Sequence, residues 1–286
     1  MSLSLIKIYN IEGRTTAQWS HGSQKTLASL KIKLNHLIRL KCCTHVKNAG
    51  GIKASIRTVN KGINVATYMA RFDIYHYYQS IDHQILLETL KSMGIDGQDL
   101  LTLQAYLTLP DTHHTGKGLM AGGTLSPILG AIYLYPLDQV MADLKKNQKI
   151  TLYTRYMDDY MILAPSRWKL KKAIKKMHKI LEALQLIIHP KKKFIGRTNT
   201  GCDFLGYTFK SGRKLRPSKE SYKRLRIRAR RLHEKGADHH QLLQYLNKWL
   251  IWIHGGLSRL VSRQGGIRKL EKYIVWCLER GGDSVS

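Results

Sequence analysis

The chain has 286 residues and a formal net charge of +29, from 48 Lys and Arg against 19 Asp and Glu. This charge would oppose a compact fold by self-repulsion unless a polyanion neutralised it, so nucleic acid is a better candidate partner than a membrane surface. No apolar run approaches the roughly 18 residues of a membrane-spanning helix, and the N-terminus has no signal-peptide pattern. We therefore expect a soluble, cytoplasmic protein. The 4 cysteines and 13 histidines lack the spacing of a zinc site.

Apolar periodicity and glycine breaks predict the elements of the first half of the chain. In order they are helices over 27–40 and 52–59, a buried strand over 69–74 with Asp73 near its end, a helix over 82–93 and a glycine-rich turn over 116–123. Residues 125–141 then predict one long apolar helix. Ser126 and Pro127 occupy its first turn, where proline is tolerated.

Residues 151–164 form the most informative pattern. Two apolar or aromatic arms flank Asp158 and Asp159, which predicts a β-hairpin with Met157 to Asp159 near its turn. Adjacent acids in a turn are usually solvated turn residues. Here Asp73, at the end of another apolar strand, can supply the second wall of a site for hard, oxygen-loving cations.

The remainder of the chain combines short strands with strongly basic helices. Residues 168–184 predict a basic amphipathic helix, Phe194 and residues 204–209 predict short strands, and the segment from Ser218 onward predicts basic helices. Because strands and helices are segregated along the chain, the sequence predicts an α+β fold.

Three carboxylates on two neighbouring strands suit phosphoryl transfer. In a two-metal site one ion activates a 3′-hydroxyl and the other binds a triphosphate, and the bridging carboxylates hold the ions roughly 3.5–4 Å apart. Magnesium retains water and substrate phosphates as its other ligands, so Asp73, Asp158 and Asp159 would suffice.

Five segments in order carry a resemblance to a known family. They are Phe72–His83 around Asp73, Gly118–Pro127 with the following Ile132–Leu134, Arg155–Asp159 (Arg-Tyr-Met-Asp-Asp), His189–Phe194 with Lys192, and Asp203–Tyr207. Over roughly residues 50 to 210 the chain resembles reverse transcriptases, and it is most similar to bacterial ones of the group II intron, diversity-generating and retron-like lineages. The subfamily stays open, because Met157 is similar to diversity-generating enzymes and Ser126-Pro127 to group II-like enzymes.

The resemblance implies a right-hand polymerase palm with shortened fingers and a helical basic thumb. Residues 1–210 would form the fingers and palm, and residues 211–286 the helical thumb and C-terminal segment. The implied activity is RNA-directed DNA polymerisation with two Mg²⁺ ions, or Mn²⁺ in their place, in a bacterial retroelement or a derived antiviral defence system. The implied partners are an RNA template, a DNA or RNA primer and dNTPs. A dedicated non-coding RNA or a protein partner that supplies missing finger contacts is a further candidate.

The resemblance also assigns roles to individual residues. Asp73, Asp158 and Asp159 would be catalytic. Together with the Ile74 carbonyl they would hold the metal, Asp159 either as a ligand or as close electrostatic support. The nucleotide pocket would contain Tyr78, which blocks a 2′-hydroxyl and so favours dNTPs, with Gly122, Ser126, Pro127 and, near the pyrophosphate, Lys192. Nucleic acid would contact Tyr156, Met157, Leu205, Gly206, Arg216, Lys219, Lys223, Arg226 and Arg230.

Two departures from the family pattern concern the pocket and the fingers. Ala121 stands where the family usually has glutamine, which removes a polar contact. Only 72 residues precede Asp73, fewer than family members commonly have there. The nearest candidates for phosphate contacts in such short fingers are Arg57, Lys61 and Arg71, for each of which a solvated surface charge is the alternative.

Other interpretations remain open at this point. A non-catalytic nucleic-acid-binding protein could keep the same fold, although the three intact aspartates argue against it. An RNA-templated RNA polymerase or a primer-independent polymerase could use the same palm, although Tyr78 favours deoxynucleotides. Tyr78 itself could simply pack with the neighbouring Tyr75 and Tyr77.

Overall fold

A computed structural model describes residues 3–11, 14–38 and 41–262. The chain divides into two compact units, Met1–Gly196 and Arg197–Ser286. The functional boundary that we place after residue 210 stays a prediction. Both units combine helices with antiparallel strands, which confirms the predicted α+β fold. Within the described ranges, no helix has the length and apolar character needed to span a membrane.

The first unit is built around one sheet and the helices that cover it. Its elements are β1 (Leu5–Ile11), β2 (Arg14–Trp19), α1 (His21–Leu37), α2 (Gly51–Gly62), β3 (Tyr68–Asp73), α3 (Tyr77–Ser80), α4 (His83–Ser92), α5 (Gly97–Thr108), α6 (Ser126–Tyr133), α7 (Tyr135–Lys146), β4 (Leu152–Tyr156), β5 (Asp159–Ala164), α8 (Arg167–Ala183) and β6 (Phe194–Arg197), whose last residue begins the second unit. The predicted strand at Asp73, the helix after it, the hairpin and the basic helix are all confirmed.

The central sheet has the strand order β4-β5-β3-β6. β5 runs antiparallel to both β3 and β4, and its apolar run Tyr160–Ala164 is fully buried, as expected of a central strand. The register sets Asp73 of β3 opposite Asp159 of β5. Two of the predicted acids therefore lie side by side at one end of the sheet.

Helix α8 packs one face against this sheet. Leu170, Ala173, Met177 and Leu181 recur every three or four residues and are buried. The helix contacts β3, β5 and α7 through this stripe. The Ser166 side chain caps its N-terminus by accepting the Lys169 backbone N–H at 3.3 Å.

Three local predictions differ from the structure. The single helix predicted over 125–141 is wrong, since α6 ends at Tyr133 and α7 begins at Tyr135. Pro136 explains the break, because proline has no N–H for the helical ladder and its ring clashes with the preceding turn. The first predicted helix begins at His21 rather than residue 27, capped by Ser20. Strands β1 and β2 and helix α5 were not predicted.

The second unit joins a small sheet to a helix pair. Its described elements are β7 (Cys202–Phe204), β8 (Tyr207–Phe209), β9 (Arg216–Pro217), α9 (Lys219–Glu234) and α10 (His239–His254), with strand order β7-β8-β9. Leu225 of α9 and Leu246 of α10 form a small core, which Tyr222 and Trp249 extend by ring packing at 5.7 Å. The predicted basic helix is confirmed.

Candidate active site

The two adjacent acids lie at the tip of the β4-β5 hairpin. Tyr156 pairs with Asp159, so Met157 and Asp158 form a two-residue turn. Met157 has a φ of 56°, a left-handed conformation that is uncommon for a residue with a side chain. Such a turn must be held in place by its surroundings, and the structure shows two supports for it.

The first support is the buried Arg155. Its Nη1 donates a hydrogen bond of 3.0 Å to the Met157 carbonyl, and its Nη2 donates one of 3.1 Å to the Ala131 carbonyl. Nε and the same Nη2 form a fully buried, bidentate ion pair with Asp138, which also accepts the Tyr153 hydroxyl at 2.8 Å. Because removing one member of a buried pair costs several kcal/mol, this pair fixes β4 firmly against α7.

The second support is His45. The Met157 backbone N–H donates to His45 Nδ1 at 3.0 Å, so Nε2 carries the proton and donates to the Pro127 carbonyl at 3.0 Å. Burial, with Arg155 as a second cause, lowers the pKa of His45 to about 4. A neutral imidazole therefore links the turn to the start of α6, and together with Arg155 it holds both polar backbone groups of Met157.

Sequence reasoning found neither role. Arg155 was included only as the first residue of the Arg155–Asp159 motif, and the sequence assigned no role to His45 or Asp138. The available signal was an arginine inside an apolar strand, because a buried guanidinium needs an acidic partner. Nothing in the sequence identifies which acid that is.

The three predicted catalytic carboxylates have different surroundings. Asp159 accepts Arg71 Nε at 2.8 Å and Nη2 at 2.9 Å. Asp73 lies 3.3 Å from Lys192 Nζ through each carboxylate oxygen. Arg71, one of the predicted candidates for phosphate contacts, is thus paired with Asp159 in this structure. This pairing favours electrostatic support, the second of the two roles predicted for Asp159.

Burial and mutual repulsion act against the negative charges. Burial raises the pKa of Asp158, and the nearby Asp73 raises it further. Burial also raises the pKa of Asp159 to about 6, although Arg71 opposes the shift. The acids are thus held close together where a cation would stabilise their ionised forms.

A cavity of about 800 Å³ opens beside these acids. It brings together seven of the predicted site residues: Asp73, Ile74, Tyr78, Gly122, Met157, Asp158 and Lys192. Ala121 and three histidines, His76, His113 and His189, also line it. The volume lies within the range of small-molecule and cofactor sites.

Tyr78 forms part of the cavity wall with its ring against α6. A Cβ atom on Gly130 would lie 2.9 Å from Tyr78 Cε1, so the ring depends on a glycine at that position. The Tyr78 hydroxyl is buried and has no hydrogen-bond partner among the described residues. Burial and the charge of Asp158 raise the pKa of Tyr78 to about 12, so the group stays a neutral phenol.

Ser126 and Pro127 are not among the residues that line the cavity. Ser126 is buried, and its hydroxyl donates to the Met120 carbonyl at 2.7 Å and lies 3.2 Å from the Tyr106 hydroxyl. Pro127 is exposed and contributes its carbonyl to His45. The role of these two residues in nucleotide binding stays a prediction.

The predicted metal site can be tested on its donor set. Among the described residues, no group of three or more His, Cys, Asp or Glu side chains is arranged to hold a metal ion, so Asp73, Asp158 and Asp159 do not form a three-carboxylate site in this structure. Magnesium needs few protein ligands, because it keeps waters and substrate phosphates in its shell. Asp73 and Asp158, two oxygen donors on one cavity wall, fit that chemistry.

The remaining predicted residues lie in the second unit. Leu205 and Gly206 have φ values of 48° and 85° and form the tight turn between β7 and β8. The Gly206 carbonyl accepts the Ser221 hydroxyl at 2.8 Å and the Ser218 N–H at 2.9 Å, which fixes this turn to the start of α9. The basic residues Arg216, Lys219, Lys223, Arg226 and Arg230 are all exposed.

The fold is similar to that of telomerases. A telomerase from Candida albicans in complex with a TWJ fragment of telomeric RNA matches with a TM-score of 0.53 at 12% identity, over 90% of this chain and 54% of that one. An apo telomerase from Candida tropicalis, truncated from its C-terminal domain, matches with a TM-score of 0.55 at 14% identity, over 76% of this chain and 54% of that one. At such identities the likeness concerns the fold alone, and this chain spans about half the length of those proteins.

The sequence comparison covers the sheet, the hairpin and the cavity. No curated protein is similar enough in sequence to match the chain. Residues 25–209 match the family described as Reverse transcriptase (RNA-dependent DNA polymerase), and this range contains all three predicted catalytic aspartates. Since the match extends over more than half of the chain and over the site just described, the chain belongs to the reverse transcriptase family.

Proposed function

We propose that this protein is an RNA-directed DNA polymerase that adds dNTPs to a primer 3′-hydroxyl by two-metal phosphoryl transfer. One observation carries the proposal: Asp73 and Asp158 share the wall of one cavity with Tyr78 and Lys192. A pair of oxygen donors, an aromatic ring and a cation in a space of about 800 Å³ match the metal, sugar and phosphate parts of a nucleotide.

Asp73 and Asp158 would hold the Mg²⁺ ions. When bound, the ions would lower the pKa of the primer hydroxyl and neutralise charge on the leaving pyrophosphate. The supports at Met157 would keep the Asp158 carboxylate at the hairpin tip, since both polar backbone groups of the preceding residue are bonded. Asp159, paired with Arg71, would add negative charge beside the ions without leaving its partner.

Lys192 would serve the pyrophosphate. Its side chain is 52% exposed and lies 3.3 Å from Asp73. An ion pair this exposed contributes little free energy, so Lys192 can leave Asp73 and bind a phosphate. Preorganised cations near a leaving group stabilise the charge that develops there. Lys191 and Lys193 flank it and are more remote candidates for the same role.

The biological setting belongs to the same proposal. An RNA template is supported by the family match and by the telomerase neighbour that was solved with telomeric RNA. The motif around Asp158 favours a bacterial retroelement or a defence system derived from one, with a DNA or RNA primer. A dedicated non-coding RNA or a protein partner would be a further component.

Primer extension tests the proposal. Purified protein with Mg²⁺ should extend a primer on an RNA template with dNTPs, and Asp158→Asn should lower the rate roughly 1,000-fold or more, since it loses several kcal/mol of transition-state stabilisation. Binding of the primer–template duplex should change little. Asp143→Asn, which alters an exposed acid on α7, is the matched control and should extend normally.

Two results would contradict the assignment. Undiminished synthesis by Asp158→Asn would remove Asp158 from the metal site. Tight duplex binding by wild-type protein without extension under any divalent cation would favour the alternative, a nucleic-acid-binding protein that kept the fold. In that case the ion pairs Arg71–Asp159 and Lys192–Asp73 would neutralise these acids in place of metal ions.

A further inference from the structure

Helix α8 presents a dense basic face that the proposed reaction does not use. It carries seven Lys or Arg side chains before its first acid, Glu182: Arg167, Lys169, Lys171, Lys172, Lys175, Lys176 and Lys179. All of these are exposed except Lys169, which is half-buried. None of them lines the catalytic cavity.

The charges on this face have no acidic partners among the described residues. Among the described residues, no ion pair includes a side chain of α8. The other basic helix differs, because Arg224 and Arg230 of α9 pair with Glu220 and Glu234 one turn away. The α8 face is therefore the less compensated of the two.

Repulsion between these lysines destabilises α8. Lys171, Lys175 and Lys179 follow one another at a spacing of four residues, and Lys172 and Lys176 form a second such row. Like charges at this spacing destabilise a helix by about 0.2–0.5 kcal/mol per pair. The folded protein needs only the opposite, apolar stripe of α8, so a polyanionic ligand is the natural source of compensation.

An aromatic side chain marks the N-terminal end of the face. Trp168 is 61% exposed, and Lys172 Nζ lies 3.5 Å from the centroid of its ring. An exposed indole next to cations is suited to stacking on a base or sugar while the lysines contact phosphates. A purely solvated charged helix does not require it.

The geometry selects nucleic acid over a membrane. A basic amphipathic helix binds a membrane by inserting its apolar face, but Leu170, Ala173, Met177 and Leu181 are buried in the protein core. The remaining surface carries cations from Arg167 to Lys179, over about 18 Å at 1.5 Å per residue. A row of this length matches the backbone of several consecutive base pairs.

We propose that the α8 face, residues 167–179, is a second RNA-binding surface that holds the phosphate backbone of a folded, double-stranded part of an RNA. The choice of RNA over DNA rests on the proposed function, since an RNA template can extend beyond the copied segment into structured regions. The surface would recognise shape and charge rather than sequence, because phosphate contacts carry no base identity.

The test compares two variants of the full chain with equal charge. In the face variant, Lys171, Lys172, Lys175, Lys176 and Lys179 become Gln, which has a similar helix propensity. In the control variant, five exposed lysines elsewhere in the first unit become Gln: Lys25, Lys31, Lys145, Lys146 and Lys149. Circular dichroism and thermal melting establish that both variants keep the fold.

The measurement is the affinity for a fluorescent RNA hairpin with no primer terminus, over a range of salt. The face variant should bind roughly tenfold or more weakly, and its slope of log K against log salt should fall by about 2 to 4, since each lost phosphate contact removes about 0.9 in B-DNA. The control variant should bind nearly as well as wild type. Photocrosslinking of the hairpin to wild-type protein should label residues 167–179.

Several outcomes would overturn the inference. Equal losses in both variants would mean that only total charge matters. Unchanged RNA binding by the face variant would show that the face does not bind RNA, and a stronger loss for a DNA hairpin would assign the face to DNA. The hairpin assay requires no synthesis, so it tests this inference separately from the proposed function. Extension of a short primer–template by the face variant tests the proposed function.

Discussion

At the scale of single residues, Tyr78 connects packing to substrate choice. Its ring rests on Gly130, and its buried hydroxyl lacks a partner among the described residues, so the group is held in the cavity without a strong polar anchor. A ring that is held by packing can still exclude a 2′-hydroxyl by its volume. Simple packing with Tyr77, whose ring centroid is 5.7 Å away, is the competing explanation.

The two explanations predict different sugar selection. Tyr78→Ala should raise rNTP incorporation relative to dNTP incorporation roughly tenfold or more, the size expected when one group is removed from a discriminating pocket. Tyr78→Phe, which keeps the ring, should retain the wild-type ratio. The measurement is the ratio of kcat/KM for matched ribo- and deoxynucleotides. An unchanged ratio in Tyr78→Ala would show that Tyr78 only packs and does not select the sugar.

His45 makes a prediction about pH. Its pKa falls from 6.5 to about 4 on folding, so the unfolded chain binds more protons between these values and the stabilising effect of neutral His45 declines as pH falls. Arg155, Cys43 and Tyr156 face the ring. They are present in both wild type and His45→Gln, so their effects largely cancel in the difference between the two proteins.

The free energy of unfolding of wild type relative to His45→Gln should therefore shrink as pH falls from 7 to 4.5. We expect the change to be about 1–2 kcal/mol, after a discount for partial solvent exposure of the ring. Urea unfolding of both proteins at several pH values provides the measurement. A difference that stays constant with pH would show that the fold does not hold His45 neutral.

At the scale of elements, sequence patterns predicted the helices and strands that are determined by residues close together in the chain. The apolar arms around Asp158 and Asp159 define the hairpin, and the spacing of Leu170 and Met177 defines α8. The break between α6 and α7 was missed although Pro136 signalled it, because the apolar run continues through the break. Strands β1 and β2 pair mainly with each other and alternate too weakly to stand out.

Long-range pairings could not be predicted in this way. Arg155 pairs with Asp138, which is 17 residues away in the sequence, and His45 bonds to Met157, which is 112 residues away. Each pairing is decided by how helices pack on the sheet, and no local pattern encodes that. The strand patterns around the three aspartates and the resemblance to a family both indicated the acids of the site, whereas the groups that hold the hairpin tip emerged only from the structure.

At the scale of the whole molecule, the charge of +29 is concentrated on particular helices. Helices α8 and α9 each carry seven Lys or Arg side chains. Such surfaces make nucleic-acid binding strongly dependent on salt, and the two helices offer separate contributions to it. The exposed pairs Arg224–Glu220 and Arg230–Glu234 reduce the net charge of α9 but cost little to rearrange.

The predicted thumb role of α9 can be measured through this salt dependence. Changing Lys223, Arg226 and Arg230 together to Gln should weaken primer–template binding similarly for all sequences and lower the slope of log K against log salt by up to about 2.7, at roughly 0.9 per phosphate contact in duplex DNA. Nucleotide selection should survive, because phosphate contacts position the duplex and carry no base identity. The Gln variant of Lys25, Lys31 and Lys146 controls for the loss of three charges. If the α9 variant kept the wild-type slope, the face would point to solvent or to a protein partner, and α9 would not be the thumb surface.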